Sequence, residues 1–407
     1  MTIETAYQDA AQTEGPWFPQ LRNDPMKPPQ AYEQWREQAA VVPAELHSEQ
    51  RAWVVLRHDA VQEVLQHPGI SVDAQHPHFP KVRKGVTSRA NDTMLRHMDA
   101  PMHGKFRRMM TGQFTLKRVN ELRPELERIV TEAIDGILAA GGPVDLHKEF
   151  SLVVPTKVIC ALLGVDYSHS ADIQRLAGIT TSASASAEEL AAAAGEMYSL
   201  LDAIITEQVK EPREGLIGKL ITEHMSKGEI EHRQILGQTF MIIIAGHETT
   251  ANTISMGMLQ LFERPDIRER VTQDPSLIPG MTEDMIRMHS LVDGTLSRVA
   301  KADMVIGGQE IKDGEGVIVT ISAPNFDPRY WDNPYELDID RNDRNHVSFG
   351  AGAHSCMGQN LARAELHLAF EQLLTRIPTL RVADGPDAVQ MQNDGFIYGV
   401  RRLMVEW

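Results

Sequence analysis

The sequence of 407 residues contains only two cysteines, Cys160 and Cys356. Two widely separated cysteines cannot build a disulfide framework, so we expect a reducing compartment, the cytoplasm, where a free thiolate can persist. Basic residues are also scarce, since 40 Lys and Arg stand against 56 Asp and Glu. The resulting formal charge of −16 argues against general nucleic-acid binding, which needs an excess of cations.

Long apolar runs are missing as well. The strongest run, Phe240 to Gly246, is far too short to span a bilayer, and the N-terminal residues lack the basic start and apolar stretch of a signal peptide. We therefore expect neither a membrane anchor nor secretion. The sequence also has no G-x-G-x-x-G dinucleotide fingerprint, no cysteine cluster for an iron–sulfur centre and no internal repeat.

The composition that remains is that of an ordinary globular protein, with 42% hydrophobic and 24% charged residues. Apolar residues recur every three or four positions from about 120 to 265, which predicts helices, including one long helix from Glu229 to about Phe262. The segments 53–56 and 316–320 are typical of strands. Because no linker divides the chain, we expect one domain spanning 1–407, mainly α with a smaller β region (α+β).

The most informative segment is 349–358, FGAGAHSCMG, which is followed at once by an amphipathic helix. Glycines let such a loop wrap closely around a bulky flat group, and a cysteine at a helix N-terminus is favoured as thiolate, the form that binds metals. A buried cysteine in a glycine-rich turn is the structural alternative. Cys160, within the apolar run VICALL, is interpreted as core packing.

A second motif, AGHETT at 245–250, places an acid beside a hydroxyl within the long helix. Small side chains at Ala245 and Gly246 leave room for a cofactor and a diatomic ligand. The Thr249 hydroxyl can bond to the carbonyl four residues back, and Glu248 with Thr249 can form a proton relay. A solvated acid on a polar helix is the alternative, and for His247 we favour a surface or structural role.

Basic residues occur where a dianionic cofactor would need them. His103 and Arg107 are four residues apart and project from one helix face, and Arg298 precedes a strand-like segment. A buried cofactor that carries two carboxylates would require such partners. Each residue taken alone is more typical of a solvated cation.

Taken in their order along the chain, from about residue 97 to 375, the motifs resemble those of the cytochromes P450. The resemblance implies the fold of that family, with a long central helix over haem b (iron protoporphyrin IX) and with Cys356 as the iron ligand. It also implies that Thr249 hydrogen-bonds the oxygen ligand and that Glu248 leads to proton-carrying solvent. The haem contacts implied by the resemblance, some of them to propionates, are His103, Arg107, Ala245, Gly246, Arg298, Phe349, Gly350, His354, Cys356 and Gly358.

The resemblance further implies a monooxygenase of secondary metabolism that hydroxylates, epoxidises or otherwise oxidises a largely hydrophobic small molecule. Two electrons would come from NAD(P)H through a ferredoxin reductase and a ferredoxin, with Lys117, Arg118 and Arg363 as a basic docking patch. The expected pocket segments are 70–96, 175–190, the region of Met241, and 291–296, including Asp293 and Thr295, which are alternatively solvated turn residues.

Other functions stay open at this stage. A haem-thiolate oxidase that uses peroxide or closes rings has the same ligand, as does a non-catalytic haem sensor. Closed metal binding by Cys356 and His354 is weak, because two ligands do not make a four-ligand site.

One motif departs from the family. Where a Glu-x-x-Arg pair is usual, this chain has Asp284-Met285-Ile286-Arg287, with Glu283 one position early. The shorter acid still shares a helix face with Arg287, and Arg341 is the expected compensation for Glu336, which stands where a basic residue is common.

Overall fold

The computed structural model describes residues 17–46, 48–82, 93–182, 185–294, 296–341, 343–385, 387–392 and 397–407. Helices dominate, with small sheets at the periphery, so the predicted mainly α architecture with a smaller β region is confirmed. The α-helices are α1 (Gln30–Gln38), α2 (His58–Gln66), α3 (Met102–Thr111), α4 (Leu116–Ala140), α5 (Val153–Leu163), α6 (Ser170–Thr181), α7 (Ala187–Lys210), α8 (Leu216–Lys219), α9 (His232–Glu263), α10 (Pro265–Gln273), α11 (Ile278–His289), α12 (Ser322–Asn325) and α13 (Gln359–Arg376).

The strands form a mixed sheet, a smaller antiparallel sheet and a hairpin. They are β1 (Trp17–Phe18), β2 (Val41–Leu46), β3 (Arg51–Val55), β4 (Ile70–Ser71), β5 (Val144–Asp145), β6 (Leu296–Ala300), β7 (Met304–Ile306), β8 (Gln309–Ile311), β9 (Gly316–Val319), β10 (Arg381–Val382), β11 (Val389–Gln392) and β12 (Gly399–Glu406). The mixed sheet has the order β1-β2-β3-β9-β6-β4. Both strand-like segments of the sequence, at 53 and 316, pair there in parallel, with Val54 opposite Ile318.

The long helix α9 begins three residues later than its apolar pattern predicts. Gly228 adopts the left-handed conformation and ends the preceding turn. Glu231 then caps α9, because its side chain accepts from the third backbone amide while the Gln234 side chain reaches back to the Glu231 amide. The helix continues unbroken to Glu263, one residue past the predicted end.

The largest apolar core is built from the helices, and α9 lies within it. This helix packs against α5, α6, α7 and α13. Cys160 on α5 is fully buried in this core, and burial raises the pKa of its thiol to about 12, so the predicted packing role is confirmed. Among the described residues, no helix combines the length and apolarity that crossing a membrane requires.

Several predictions fall on residues that lie outside the described ones. These are the N-terminal 1–16, the pocket positions 83–92 and 183–184, and Thr295.

Candidate functional site

The cysteine loop owes its shape to glycines with left-handed backbone conformations. Gly350 has φ 65° and Gly352 has φ 67°. A β-carbon at Gly352 would lie 2.7 Å from the carbonyl oxygen of Leu65, so a larger residue would meet both strain and backbone. The Cys356 amide donates to the Phe349 carbonyl at 2.7 Å and closes the loop immediately before α13.

The Cys356 side chain is accessible, although its surroundings are largely desolvated. The side chain is solvent-accessible, yet burial is the largest influence on the pKa of its thiol and raises it. The amides of Gly358 and Gln359 and the charges of Arg107 and Arg363 act in the opposite direction, as the helix N-terminus predicts, but are outweighed. The exposure of the side chain and the effect of burial on its pKa are both explained if the sulfur faces an internal space. A cation bound there would stabilise the thiolate.

A second accessible surface lies on the core helix α9. Ala245 is exposed and Thr249 is half-buried, although they lie mid-way along a helix in the core. They are one turn apart on the same face, and the Thr249 hydroxyl donates to the Ala245 carbonyl at 2.8 Å, as predicted. Gly246 points elsewhere, because a β-carbon there would lie 2.9 Å from Cδ1 of Ile159 on α5. The space predicted for a cofactor is therefore left by Ala245, whereas Gly246 serves the close packing of two helices.

Glu248 lies on a different face of α9 from Thr249. Its carboxylate is buried, accepts from the Asn252 side chain at 3.2 Å and interacts with the Thr181 hydroxyl of α6. Burial raises the pKa of Glu248, and these two hydrogen bonds oppose the shift without reversing it. The acid and the hydroxyl are thus each engaged with other groups, and a relay between them requires a bridging water.

Asn252 was missed in the sequence, although it supports Glu248. Its Nδ2 donates to both the carbonyl and the carboxylate of Glu248, while its Oδ1 accepts from the Val400 amide at 2.9 Å. No local pattern signals this contact, because the partner strand β12 follows 148 residues later. His247 is buried, with a pKa lowered to about 4 by burial, so a surface role is wrong and a structural one remains.

The predicted propionate anchors meet beside the cysteine loop. The ring centroids of His103 and His354 are 3.9 Å apart, and Arg107 donates to the Ser355 carbonyl at 2.8 Å. Burial, followed by the nearby cations, lowers the pKa of His354 to about 3. Burial also lowers the pKa of Arg298 to about 10, and the charge of Arg298 acts on His354. The structure therefore brings four predicted basic residues into one cluster: two from α3, one from the cysteine loop and one from β6.

Asp284, the acid that is shorter than the usual Glu of the family, takes part in a buried network of ion pairs. Asp284 pairs with Arg287 at 2.6 Å, both side chains being 1% exposed. Arg341 donates to the same carboxylate at 2.9 Å, which is the predicted compensation. Arg287 also donates to the Asn325 and Pro334 carbonyls, so this network ties α11 to the chain that leads into the cysteine loop.

The basic docking patch differs from the prediction. Arg363 pairs with Glu283 at 2.6 Å, and its guanidinium covers the Phe349 ring at 4.6 Å, which places it in the support of the loop. Arg118 pairs with Glu121 and Glu214. These ion pairs satisfy both arginines within the chain, and of the three predicted residues only Lys117 is exposed.

Asp293 is a structural residue rather than a pocket or turn residue. It is buried, accepts from the Ile321 amide at 2.9 Å and from the Ser322 hydroxyl, and so holds the start of α12. Its solvated alternative is equally excluded, because both carboxylate oxygens have partners.

The arrangement fits a haem. It offers one thiol beside amide donors, an exposed Ala245 midway along a core helix, and basic residues around Arg298, which itself forms no ion pair with an acid among the described residues. Three or more clustered His, Cys, Asp or Glu ligands for a free metal ion do not occur in the part of the chain described. The geometry thus favours a ligated cofactor over a bare ion.

Comparison with known proteins agrees with this geometry. The cytochrome P450 family model matches residues 184–280 and 280–378. Cytochrome P450 105A3 of Streptomyces carbophilus is 40% identical over 396 residues, 97% of this chain and 96% of that protein. The vitamin D3 dihydroxylase of Streptomyces griseolus is 36% identical over 401 residues, covering 97% and 98%. The crystal structure of cytochrome P450 MoxA from Nonomuraea recticatena has a TM-score of 0.90 at 38% identity, covering 97% of this chain and 99% of that one.

Identity at this level over almost the whole length, together with the cysteine loop and the long helix, leads to one conclusion: the chain belongs to the cytochrome P450 family and is a haem-thiolate monooxygenase.

Proposed function

We propose that the protein oxidises a largely hydrophobic small molecule within one haem domain spanning residues 1–407, with Cys356 as the axial iron ligand. The observation that carries the proposal is the Cys356 sulfur, held at the start of α13 and facing open space within the protein. When bound, the haem supplies the activation of dioxygen, with one oxygen atom going to substrate and one to water.

The cysteine loop holds the sulfur in place. Gly350 allows the reversal of the chain, Gly358 directs its amide at the sulfur, and the Phe349 ring lies under Arg363. Arg107, bonded to the Ser355 carbonyl, positions the loop and places a positive charge beside the thiolate. These contacts restrict the motion of the sulfur and stabilise its anionic form.

His103, His354 and Arg298 bind the propionates in this proposal. His103 and His354 lie side by side and can both offer ring nitrogens to the propionates, whereas Arg298, whose pKa burial lowers to about 10, retains its charge at neutral pH. Arg298 projects from β6, whose pairing with β9 fixes its position.

Glu248 and Thr249 deliver protons. The raised pKa of Glu248 brings a carboxyl closer to the working pH, so that it can take up a proton from the side of Thr181 and pass it through water to Thr249. In this relay the Thr249 oxygen accepts the incoming proton and releases its own, as the hydroxyl turns from the Ala245 carbonyl towards the exposed side of the helix at Ala245. Exclusion of other water from this space limits wasted oxidant.

Family members depend on redox partners and act on small molecules. For this chain we propose a ferredoxin, reduced by NAD(P)H through its reductase, and a cytoplasmic location, which the two unpaired cysteines support. Docking would use the exposed Lys117, in the first turn of α4, rather than the paired Arg118 and Arg363. A largely apolar substrate is supported by the name of the Streptomyces griseolus relative, which refers to vitamin D3.

The test begins with the reduced, carbon monoxide-bound spectrum. Wild-type protein should show the red-shifted thiolate band, and Cys356→Ser should lose it, whereas Cys160→Ser should keep it. Titration with a library of small molecules should then shift the Soret band, and a hit should be converted with ferredoxin, reductase and NADPH. Spectral binding without conversion would support a sensor, and conversion only with peroxide would support a peroxide-using enzyme; either result contradicts the proposal.

A further inference from the structure

We infer that Arg96 is a second arginine for the haem propionates, paired in that function with Arg298. Arg96 lies in the 3₁₀ turn Leu95–His97, just before α3, and its side chain is exposed to a water-sized sphere although the turn itself lies against the core. This inference rests on the haem binding and on the propionate anchors proposed above.

The turn that carries Arg96 is held rigidly against α9. Leu95 is buried, its amide donates to the Gln238 side chain at 3.2 Å, and Gln238 in turn donates to the Thr93 carbonyl. A β-carbon at Gly237 would lie 1.9 Å from the Thr93 hydroxyl, so the turn approaches α9 more closely than any other residue would allow. Arg96 therefore projects from a turn that is fixed beside α9.

Arg96 and Arg298 are two neighbouring cations without an anion. Burial lowers the pKa of both guanidinium groups, and the charge of Arg96 lowers that of Arg298 further. Neither arginine has a carboxylate within ion-pairing distance among the described residues, and the Arg298 side chain donates only to its neighbour's carbonyl there. Two such charges in a dry setting require two negative charges in return.

Asp99, the acid whose charge acts on Arg298, is already engaged with other groups. Asp99 accepts from the Ser71 hydroxyl at 2.6 Å and from the Val72 amide at 3.0 Å, and it pairs with Lys301 at 3.4 Å. Arg107, the remaining cation, is bonded to the cysteine loop. A haem brings two carboxylates, which match the charges of Arg96 and Arg298 one for one.

The experiment compares Arg96→Gln with Arg108→Gln, a matched change at an exposed arginine of α3. Haem release from the loaded protein is followed by transfer to excess apomyoglobin, and the reduction potential by spectroelectrochemical titration. We expect Arg96→Gln to release haem roughly ten- to a hundredfold faster, the loss of one charge-assisted hydrogen bond. Its potential should fall, because a positive charge near the iron favours the reduced state. Arg108→Gln should change neither quantity.

Arg96→Lys separates charge from structure. It retains the positive charge, so it should restore most of the potential and part of the haem retention; a loss equal to that of Arg96→Gln would overturn the inference. Unchanged haem release, with weaker spectral binding of anionic than of neutral ligands, would instead assign Arg96 to a substrate carboxylate and also overturn it. In every variant the thiolate carbon monoxide band must persist, since its absence in wild-type protein would contradict the proposed function and not the assignment of Arg96.

Discussion

Replacement of the buried Asp284 carboxylate should weaken the support of the cysteine loop. Asp284 receives two bonds from Arg287, at 2.6 and 3.1 Å, one from Arg341 at 2.9 Å and one from the Asp338 amide at 2.8 Å. Asp284→Asn keeps the size of the side chain and removes its charge. Arg287, only 1% exposed, would then remain as a buried cation held by carbonyls alone.

The cost follows from this burial. Removal of one partner from a buried ion pair typically lowers the free energy of unfolding by about 3–5 kcal/mol, because the other charge is left uncompensated. Asp340→Asn is the matched control, since Asp340 pairs with Arg270 at the surface, where their side chains are 61% and 53% exposed, and such pairs contribute little.

Urea unfolding, followed by far-UV circular dichroism and by Soret absorbance, measures both variants. Asp284→Asn should shift both transitions to lower urea, and the Soret transition should move at least as far because the network leads into the loop. If Asp284→Asn unfolds at the same urea concentration as Asp340→Asn, the reasoning about the buried charge is refuted. Asp284→Glu, which restores the charge with one more methylene, should recover part of the loss.

Three further predictions concern the active site and its supports. Thr249→Ala should consume NADPH with more hydrogen peroxide and less product, whereas Thr249→Ser, which keeps the hydroxyl, should stay coupled; equal product yields would exclude a role for the hydroxyl. Glu248→Gln should lower kcat by about a hundredfold or more with little change in substrate-binding spectra, and a raised solvent isotope effect should accompany the loss. Burial would raise the pKa of Glu283, but hydrogen bonds from its partners outweigh it and hold the pKa at about 2, below the ordinary 4.5. The stabilising contribution of Glu283 is therefore complete above about pH 5 and is lost as the pH falls towards 2. Glu283→Gln should make stability less dependent on pH in this range, as measured by acid titration followed by circular dichroism.

The conformation of the cysteine loop can be predicted largely from the residues close to it in the sequence. The positive φ angles at Gly350 and Gly352, the closing bond to Phe349 and the start of α13 all involve residues within ten positions of Cys356. Such features follow from the conformational preferences of a short segment, so they can be predicted from it. The same applies to the bond from Thr249 to the carbonyl four residues earlier.

Side chains whose roles depend on distant contacts could not be assigned in this way. Arg363 looked like a docking residue until its contact with Glu283, 80 positions away, was known. Gly246 looked like space for a cofactor, yet it faces Ile159 on another helix. Arg96 lies at the end of the expected pocket segment 70–96, but no role could be assigned to it, because an arginine beside a histidine is ordinary unless its surroundings are known.

The sequence by itself determined the family, and it pointed to Cys356 as the proposed iron ligand and to the motif of the long helix, because these depend on residue types at short, fixed spacings. Only the tertiary structure decided which charges are neutralised within the protein and which are left for a ligand. The physical reason is that burial and pairing are set by elements far apart in the chain, such as Asn252 on α9 and Val400 on β12, which meet only when the core is packed.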